Sequence, residues 1–405
     1  MTIMKPLPHF PAMFRAYCLL FVMAMPLPML ADAELALLRA AAPGDALELP
    51  VLAEALPDAP RLPWNSTVQA DSPQYLISDD PEYIRVPEAV AMREEVAPGR
   101  VRLYVYNVNG VREPQQMPRR ISAVIRNLGD GPLHVTMHRR AFMPPSTNYF
   151  GVAKQALAAF LTPLEQPELL HTIAPGDSVA LDPDMEAAVV LYDELVHGFY
   201  EFEVDQPAVI SVVQTAPDVS SAEASERIHE VLPTKSRSGA GRGKFLTSNM
   251  AISMPEGFVL DTAAGISQLV VADGQDDPWI SGTESTVDEP AILKGNYGVL
   301  YDIEIPWTSS DGKGLAVVMY NARYGSPWCG GMAAAMVVND GTHAGGVVRL
   351  PAQKLSTRSL PEVLVVQVYA PPAAGETSVI RMTYSPPGAS CLPTPLVLVP
   401  VDWNP

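Results

Sequence analysis

Paired carboxylates are the first residues in this chain whose spacing suggests chemistry. Asp302 and Glu304, in "YDIEIP", are two apart, which on a strand places both side chains on one face. A retaining glycosidase needs its two carboxyl groups about 5 Å apart and an inverting one up to about 9.5 Å, so the spacing is compatible with cleavage of a glycan. It is equally the spacing of an ordinary solvated strand face, which is the reading preferred. Two loops set carboxylates a few residues apart in the manner of calcium sites: "ADGQDDPW" with Asp273, Asp276 and Asp277, and "LDPDMEA" with Asp182, Asp184 and Glu186. Neither carries the full calcium-loop pattern. Calcium is the only ion the sequence raises, and no metal ligand or other cofactor is assigned.

His134 and His138 share a strand face, but four residues at about 3.4 Å each separate their backbones by roughly 14 Å. That is too far for two imidazoles to meet one ion at about 2 Å. His171, His197 and His343 have no ligand spacing either. Cys329, in "YGSPWCGG", precedes two glycines as a nucleophile does in some loops. A catalytic thiol needs a nearby histidine and a depressed pKa, and His343 is the only histidine of the C-terminal region. Cys391 offers a simpler partner: in an oxidising compartment the two make a disulfide. Closing so long a loop contributes about 4 kcal/mol in the chain-entropy picture. No catalytic residue is assigned.

Tryptophan gives the clearest pointer to binding. Four of the five lie near the C-terminal end, and Trp279, Trp307 and Trp328 sit beside prolines and turn residues. Indoles on loops offer a flat apolar surface with a polar handle, suited to sugars or protein partners; indoles over a sandwich end serve the core instead. Trp279, Trp307 and Trp328, with Asp276 and Asp277 nearby, are therefore the candidate ligand-binding residues.

The elements that must position these residues are mostly strands. "GRVRLYVYNVNG" alternates Val101, Leu103 and Val105 against Arg102, Tyr104 and Tyr106. "RRISAVIRNLGDGPLHVTMHRR" places Ile121, Ala123 and Ile125, then Leu133, Val135 and Met137, about a Gly/Asp turn, which predicts a hairpin-like pair. "LLHTIAPGDSVAL" holds Pro175-Gly176 between two strand runs, the pair that suits a type II turn. From residue 246 onward short strand runs alternate with turns such as "SSDGKG" and "NDGTHAGG". One stretch departs from this pattern. "MPPSTNYFGVAKQALAAFL" reads as a helix starting after Pro144-Pro145, capped by Ser146 or Thr147 and ending at Thr162-Pro163. Its polar stripe is only Gly151, Lys154, Gln155 and Ala158, so it should be buried over most of its girth, closing an open end or face of a sandwich.

These patterns predict an all-β protein of two β-sandwich domains, the first immunoglobulin-like and the second jelly-roll-like, with one amphipathic helix in the first. Residues 1–33 read as a secretory signal peptide: Lys5 and Arg15, an apolar run broken by Pro26 and Pro28, then "ADA" with cleavage after Ala33. The run is too short for a membrane span. Residues 34–70 read as a proline-rich, acidic linker whose leucines are frequent enough to lie partly along a folded domain. The first sandwich is assigned to 71–217 and the second to 246–405. Residues 218–245 are the connector, a flexible loop or a basic docking strip with Lys235, Arg237, Arg242 and Lys244. The formal charge of −18 excludes a nucleic-acid partner, which needs basic patches.

"ISAVIRNLGDGPLHVTM" followed by "IAPGDSVAL" resembles the immunoglobulin-type modules of secreted bacterial surface proteins. The resemblance implies a sandwich fold and an extracytoplasmic setting, and it carries no catalytic residues. The sequence thus leads to an exported, periplasmic or extracellular protein of the cell envelope, non-enzymatic, binding an envelope glycan or a protein partner. The rival is a secreted glycan hydrolase using a carboxylate pair such as Asp302 and Glu304.

Overall fold

Four β-sheets, packed as two sandwiches, form the framework of the chain in a computed structural model that describes residues 27–234, 241–284, 289–326, 330–358 and 360–403. In the first sandwich a four-stranded sheet runs in the order Ser178–Ala180, Arg120–Asn127, Ala208–Thr215, Ala89–Val96. It faces a longer sheet whose centre is Gln74–Ser78, Gly99–Asn109, Leu195–Val204, Leu133–Ser146 and Glu168–Ile173. In the second, a five-stranded sheet built around Gly314–Tyr320 and Thr394–Val401 faces a sheet centred on Leu300–Thr308 and Ser378–Tyr384. The all-β class and the two sandwiches are as expected; among the described residues there are five α-helices, against one amphipathic helix expected in the first sandwich and a short helical piece in the connector: α1 (Leu27–Ala40), α2 (Pro50–Ala55), α3 (Tyr149–Phe160), α4 (Pro183–Ala187) and α5 (Ser221–Arg227).

Two strand runs behave differently from a hairpin. Arg120–Asn127 and Leu133–Ser146 belong to opposite sheets of the first sandwich. "LGDGP" therefore arches over the core, and Ile121, Ala123 and Ile125 meet Leu133, Val135 and Met137 across it. Period-2 alternation is the same for a hairpin and an arch, because both put one apolar face inward. Pro175-Gly176 makes a second such crossing, with Gly176 at φ +82° and the Asp177 N–H donating to the Ala174 carbonyl at 3.1 Å.

The Gly99–Asn109 strand is buried on both faces. Val101, Leu103 and Val105 enter the first core, while Tyr104 and Tyr106 join the cluster that continues into the second sandwich. Helix α3 lies at this junction. Asn148 caps it, its Oδ1 accepting from the Gly151 N–H at 3.1 Å, in place of the expected Ser146 or Thr147. Its apolar girth packs on the outer face of the long sheet, where Phe160 stacks on Phe199 with centroids 3.6 Å apart. On its other side it meets the strands Ala334–Val338 and Gly346–Leu350 of the second sandwich. The helix is a wedge between two sandwiches, not a plug in one. Lys154, expected on the polar stripe, is only 4% exposed, and its Nζ donates to the Pro351 and Lys354 carbonyls, each at 2.6 Å. Arg102, wholly buried, bridges the same junction: it pairs with Glu201 at 3.0 Å and donates to the Ser248 carbonyl at 3.0 Å and Asn249 Oδ1 at 2.6 Å.

The expected domain boundaries are corrected by chain exchange. Residues 34–70 are not a linker. Leu38, Leu49, Leu52 and Leu56 pack on the outer face of the five-stranded sheet, Ala46–Glu48 pairs with Glu362–Tyr369, and Asn65–Val68 pairs with Asn249–Ser253. Burying each such leucine stabilises by about 1.5–3 kcal/mol, enough to hold a segment whose prolines suggested an extended chain. In the other direction, Arg242–Phe245 and Ser281–Glu284 extend the long sheet of the first sandwich. The connector is accordingly part of the fold where it is described: α5 docks on the four-stranded sheet through Ala224. Arg242 is 1% exposed, donating to the carbonyls of Asp80, Ala91 and Leu232 and pairing with Glu284. Lys244 Nζ donates to the Glu95 carbonyl at 2.8 Å. Lys235 and Arg237 lie outside the described residues, as does most of the signal segment; the expected cleavage point after Ala33 falls within α1. No helix among the described residues is long and apolar enough to cross a membrane.

Candidate functional site

An open cleft of about 430 Å³ lies on the second sandwich, where four loops meet. The first follows the strand Ser267–Val271. Asp273 Oδ1 accepts from the N–H groups of Gln275 and Asp277 at 2.9 and 3.0 Å, closing a tight turn. Gly274, at φ +70°, lies under the Trp279 ring, and a Cβ there would overlap the indole. The turn thereby aims Trp279 into the cleft. Lys294 and Tyr297 come from a second turn, Arg323 and Ser326 from a third, and residues 389–393 form the remaining wall.

The cleft is braced from the first sandwich. Tyr75 Oη donates to the Tyr297 carbonyl at 2.6 Å, and Tyr104 Oη accepts from the Gly388 N–H at 2.8 Å. Burial pushes the Tyr297 phenol up to about 12, so it stays a neutral donor at physiological pH. Lys294 and Arg323 are exposed at the rim, and Arg323 Nε donates to the Leu392 carbonyl at 2.9 Å. An aromatic pair with two cations at its edge can stack a ring and attract an anionic group.

The five candidate ligand residues separate. Trp279 lines the cleft. Trp307 is corrected: it is 1% exposed, lies inside the strand Leu300–Thr308, and packs edge-on to Tyr369 in the second core. Tyr301, Ile303, Ile305 and Trp307 all point into that core, so the period-2 signal was present and Pro306 masked it. Trp328 lies outside the described residues. Asp277 is 1% exposed and accepts from the Ala272 N–H at 2.7 Å and from Tyr301 Oη at 2.6 Å. Burial raises its pKa, and the carboxylate serves the loop and no ligand. Asp276 is exposed and pairs with Arg61, which also reaches Asp273 at 3.0 Å. Burial alone would raise the Asp273 pKa, but the two N–H donors and Arg61 outweigh it and hold the carboxyl below the usual range.

The calcium readings meet the same difficulty. Asp182 caps α4 and pairs with Arg140, Asp184 pairs with Arg140 at 2.7 Å, and Glu186 accepts from the Ser221 N–H at 3.0 Å. Arg140 and the Ser221 N–H already engage these carboxylates, and no group of three His, Cys, Asp or Glu side chains converges on a metal site among the described residues. Asp302 and Glu304 do share a strand face. Asp302 accepts from Thr383 Oγ1 at 2.7 Å and Gln69 Nε2 at 3.0 Å, and Glu304 pairs with Arg381 at 2.9 Å. Both are exposed and line a second open cleft, of about 420 Å³, with Val337 and Asn339.

Sequence reasoning missed Lys294, Tyr297, Arg323 and the 389–393 wall. Nothing in their local patterns marks them, because the site exists only once four separate loops are brought to one end of the sandwich.

No protein-family model matches the chain, and no curated protein matches it. Among solved structures it is similar to the CUB1-EGF-CUB2 domains of rat MASP-1, at 9% identity and a TM-score of 0.19, over 78% of this chain and 99% of that one. It is also similar to oxalate decarboxylase from Bacillus subtilis, at 10% identity and a TM-score of 0.13, over 83% of this chain and 76% of that one. Likenesses this slight carry no argument about function. The β-sandwich assignment rests on the strands themselves.

Proposed function

We propose that this is an exported, cell-envelope-associated binding or scaffold module, non-enzymatic, related in kind to immunoglobulin-type surface modules. The observation that carries the reading is the cleft that sets Trp279 and Tyr297 beside Lys294 and Arg323. Aromatic rings with cations at the rim suit an envelope glycan bearing acidic groups, even though the chain as a whole is acidic. The engagement of Asp302 by Gln69 and Thr383, and of Glu304 by Arg381, favours this over the hydrolase. A Cys329–Cys391 disulfide belongs to the same proposal. Its support is that Cys391 is 7% exposed and accepts from the Gly331 N–H at 3.3 Å at the cleft wall. Peptide mapping under non-reducing conditions tests the bridge.

The function is tested by incubating the full chain with isolated envelope polysaccharide, with and without chelator, and measuring pelleted protein and released sugar. Sedimentation without sugar release, reduced several-fold by Trp279→Ala or by Lys294→Gln with Arg323→Gln, supports the module. Chelator sensitivity would return the calcium loops to consideration. Released reducing ends that disappear in Asp302→Asn or Glu304→Gln would overturn the proposal in favour of the hydrolase.

A further inference from the structure

The outer face of the four-stranded sheet carries a smaller pocket, about 140 Å³, that shares no residue with the cleft. The strand register builds it. In one row Arg93 lies opposite Ser211, and Ser211 opposite Val124; in the next, Val209 lies opposite Arg126, and Arg126 opposite Ser178. Rows two residues apart share a face. Helix α5 crosses that face with Ala224 on Val90, Val124 and Val213, and its C-terminal end brings Ser225, Glu226 and His229 over the two rows.

The donors in this pocket are not used up by the fold. Arg93 anchors the end of α5, with Nη2 donating to the Ser225 and Ile228 carbonyls at 2.7 and 2.9 Å and Nη1 to the His229 carbonyl at 3.2 Å. Its Nε donates to Ser211 Oγ at 3.2 Å, which leaves the Ser211 proton to be given elsewhere. Arg126 donates Nε to the Gly176 carbonyl at 3.2 Å and makes no ion pair among the described residues, so its two outer nitrogens remain. The Ser178 and Ser225 hydroxyls and the His229 ring make no hydrogen bond among the described residues. The single carboxylate at the pocket is Glu226, which is exposed. Burial lowers the Arg93 pKa, and Arg126 lowers it further. Arg93 and Arg126 thus line one pocket from adjacent rows of the same sheet face, with the hydroxyls of Ser178, Ser211 and Ser225 beside them.

We propose that this pocket binds a tetrahedral oxyanion, phosphate or sulfate, held by Arg126, Ser178, Ser211 and Ser225, with Arg93 supplying positive charge from beneath. Arginine presents two parallel donors to such an anion, and the hydroxyls reach the oxygens that arginine leaves. The site is independent of the cleft and of the glycan reading.

The test is isothermal titration of the full chain with sodium phosphate and with sodium sulfate in chloride buffer at constant ionic strength. Saturable binding to one site is expected. Arg126→Gln should weaken it about tenfold or more, the loss that goes with a charge-assisted hydrogen bond. Ser178→Ala with Ser225→Ala should weaken it several-fold, a second route should Arg126→Gln fail to fold. Arg112→Gln, on an exposed loop, should leave it unchanged. Parallel titrations with a sugar phosphate and a sulfated sugar decide the source: binding of the free ions alone assigns an inorganic ligand, and binding of the esters assigns a group carried on a larger molecule. The absence of saturable binding, or the same loss in Arg112→Gln as in Arg126→Gln, would overturn the proposal.

Discussion

Replacing Lys154 with methionine asks whether α3 joins the two sandwiches or merely lies between them. Methionine keeps the apolar stem but removes the ammonium that donates to the Pro351 and Lys354 carbonyls. Two charge-assisted hydrogen bonds are worth roughly 1.5–3 kcal/mol each. Against them stands the cost of burying the charge, a few kcal/mol, which the variant recovers. One term then remains: two backbone carbonyls left without that donor, at about 1–3 kcal/mol for a buried one. A net loss of about 2–3 kcal/mol follows, read as a lower midpoint in urea unfolding, with Gln155→Ala, on the exposed face of the same helix, staying within about 0.5 kcal/mol. The pH dependence has a defined sign. Burial, and then Arg349, lowers the Lys154 pKa from 10.5. The unfolded state therefore binds more protons in the window below 10.5, and wild-type stability gains on the variant as pH rises through it. A loss under 0.5 kcal/mol, or a gap that narrows with rising pH, would refute the reasoning.

Burial holds the phenols of Tyr75, Tyr104, Tyr200 and Tyr301 well above 10 in the folded state, so their contribution is complete below pH 10 and is lost as pH rises past it, by up to about 1.4 kcal/mol per tyrosine per pH unit; urea midpoints between pH 8 and 11 should fall steeply only above 10. Gly274→Ala should shift tryptophan fluorescence and reduce polysaccharide pelleting as Trp279→Ala does, with a stability loss of about 1 kcal/mol or more from the positive φ. Glu34, 7% exposed, accepts from the Val51 and Leu52 N–H groups at the start of α2, and Glu34→Ala should cost about 1–2 kcal/mol in thermal or urea unfolding. Asp276→Asn should change stability by less than about 1 kcal/mol, because its pairing with Arg61 is half exposed, whereas Asp277→Ala should cost several times as much.

Local order was the legible part of this sequence. Helix α3 was visible from its flanking prolines and apolar girth, and the strands from Val101 to Met137 from their alternation, because both depend on periods of a few residues. What lies opposite each element was not. The second face of Gly99–Asn109 carries Arg102, Tyr104 and Tyr106, a polar-looking set that is buried because Arg102 finds Glu201 on the neighbouring strand and Ser248 across the junction, where Tyr104 finds Gly388. Residues 34–70 looked like a linker because prolines and acids dominate their average, yet four leucines decide where they go. Trp307 and Trp279 both stand beside a proline; one closes a core and the other lines a cleft. The loops that meet at the cleft are set by sheet topology, which short-range patterns do not encode.

The exchange of strands between the sandwiches also sets an order of assembly. Ala46–Glu48 leaves a ribosome well before Glu362–Leu364, the strand it pairs with. The long sheet of the first sandwich likewise waits for Arg242–Phe245 and Ser281–Glu284. The two halves therefore cannot ripen one after the other as beads on a string do. The N-terminal segment stays unpaired, its leucines uncovered, until Glu362–Leu364 has been made. During that interval a cell handling this protein has an exposed apolar segment to shield, until α1 and α2 find the five-stranded sheet.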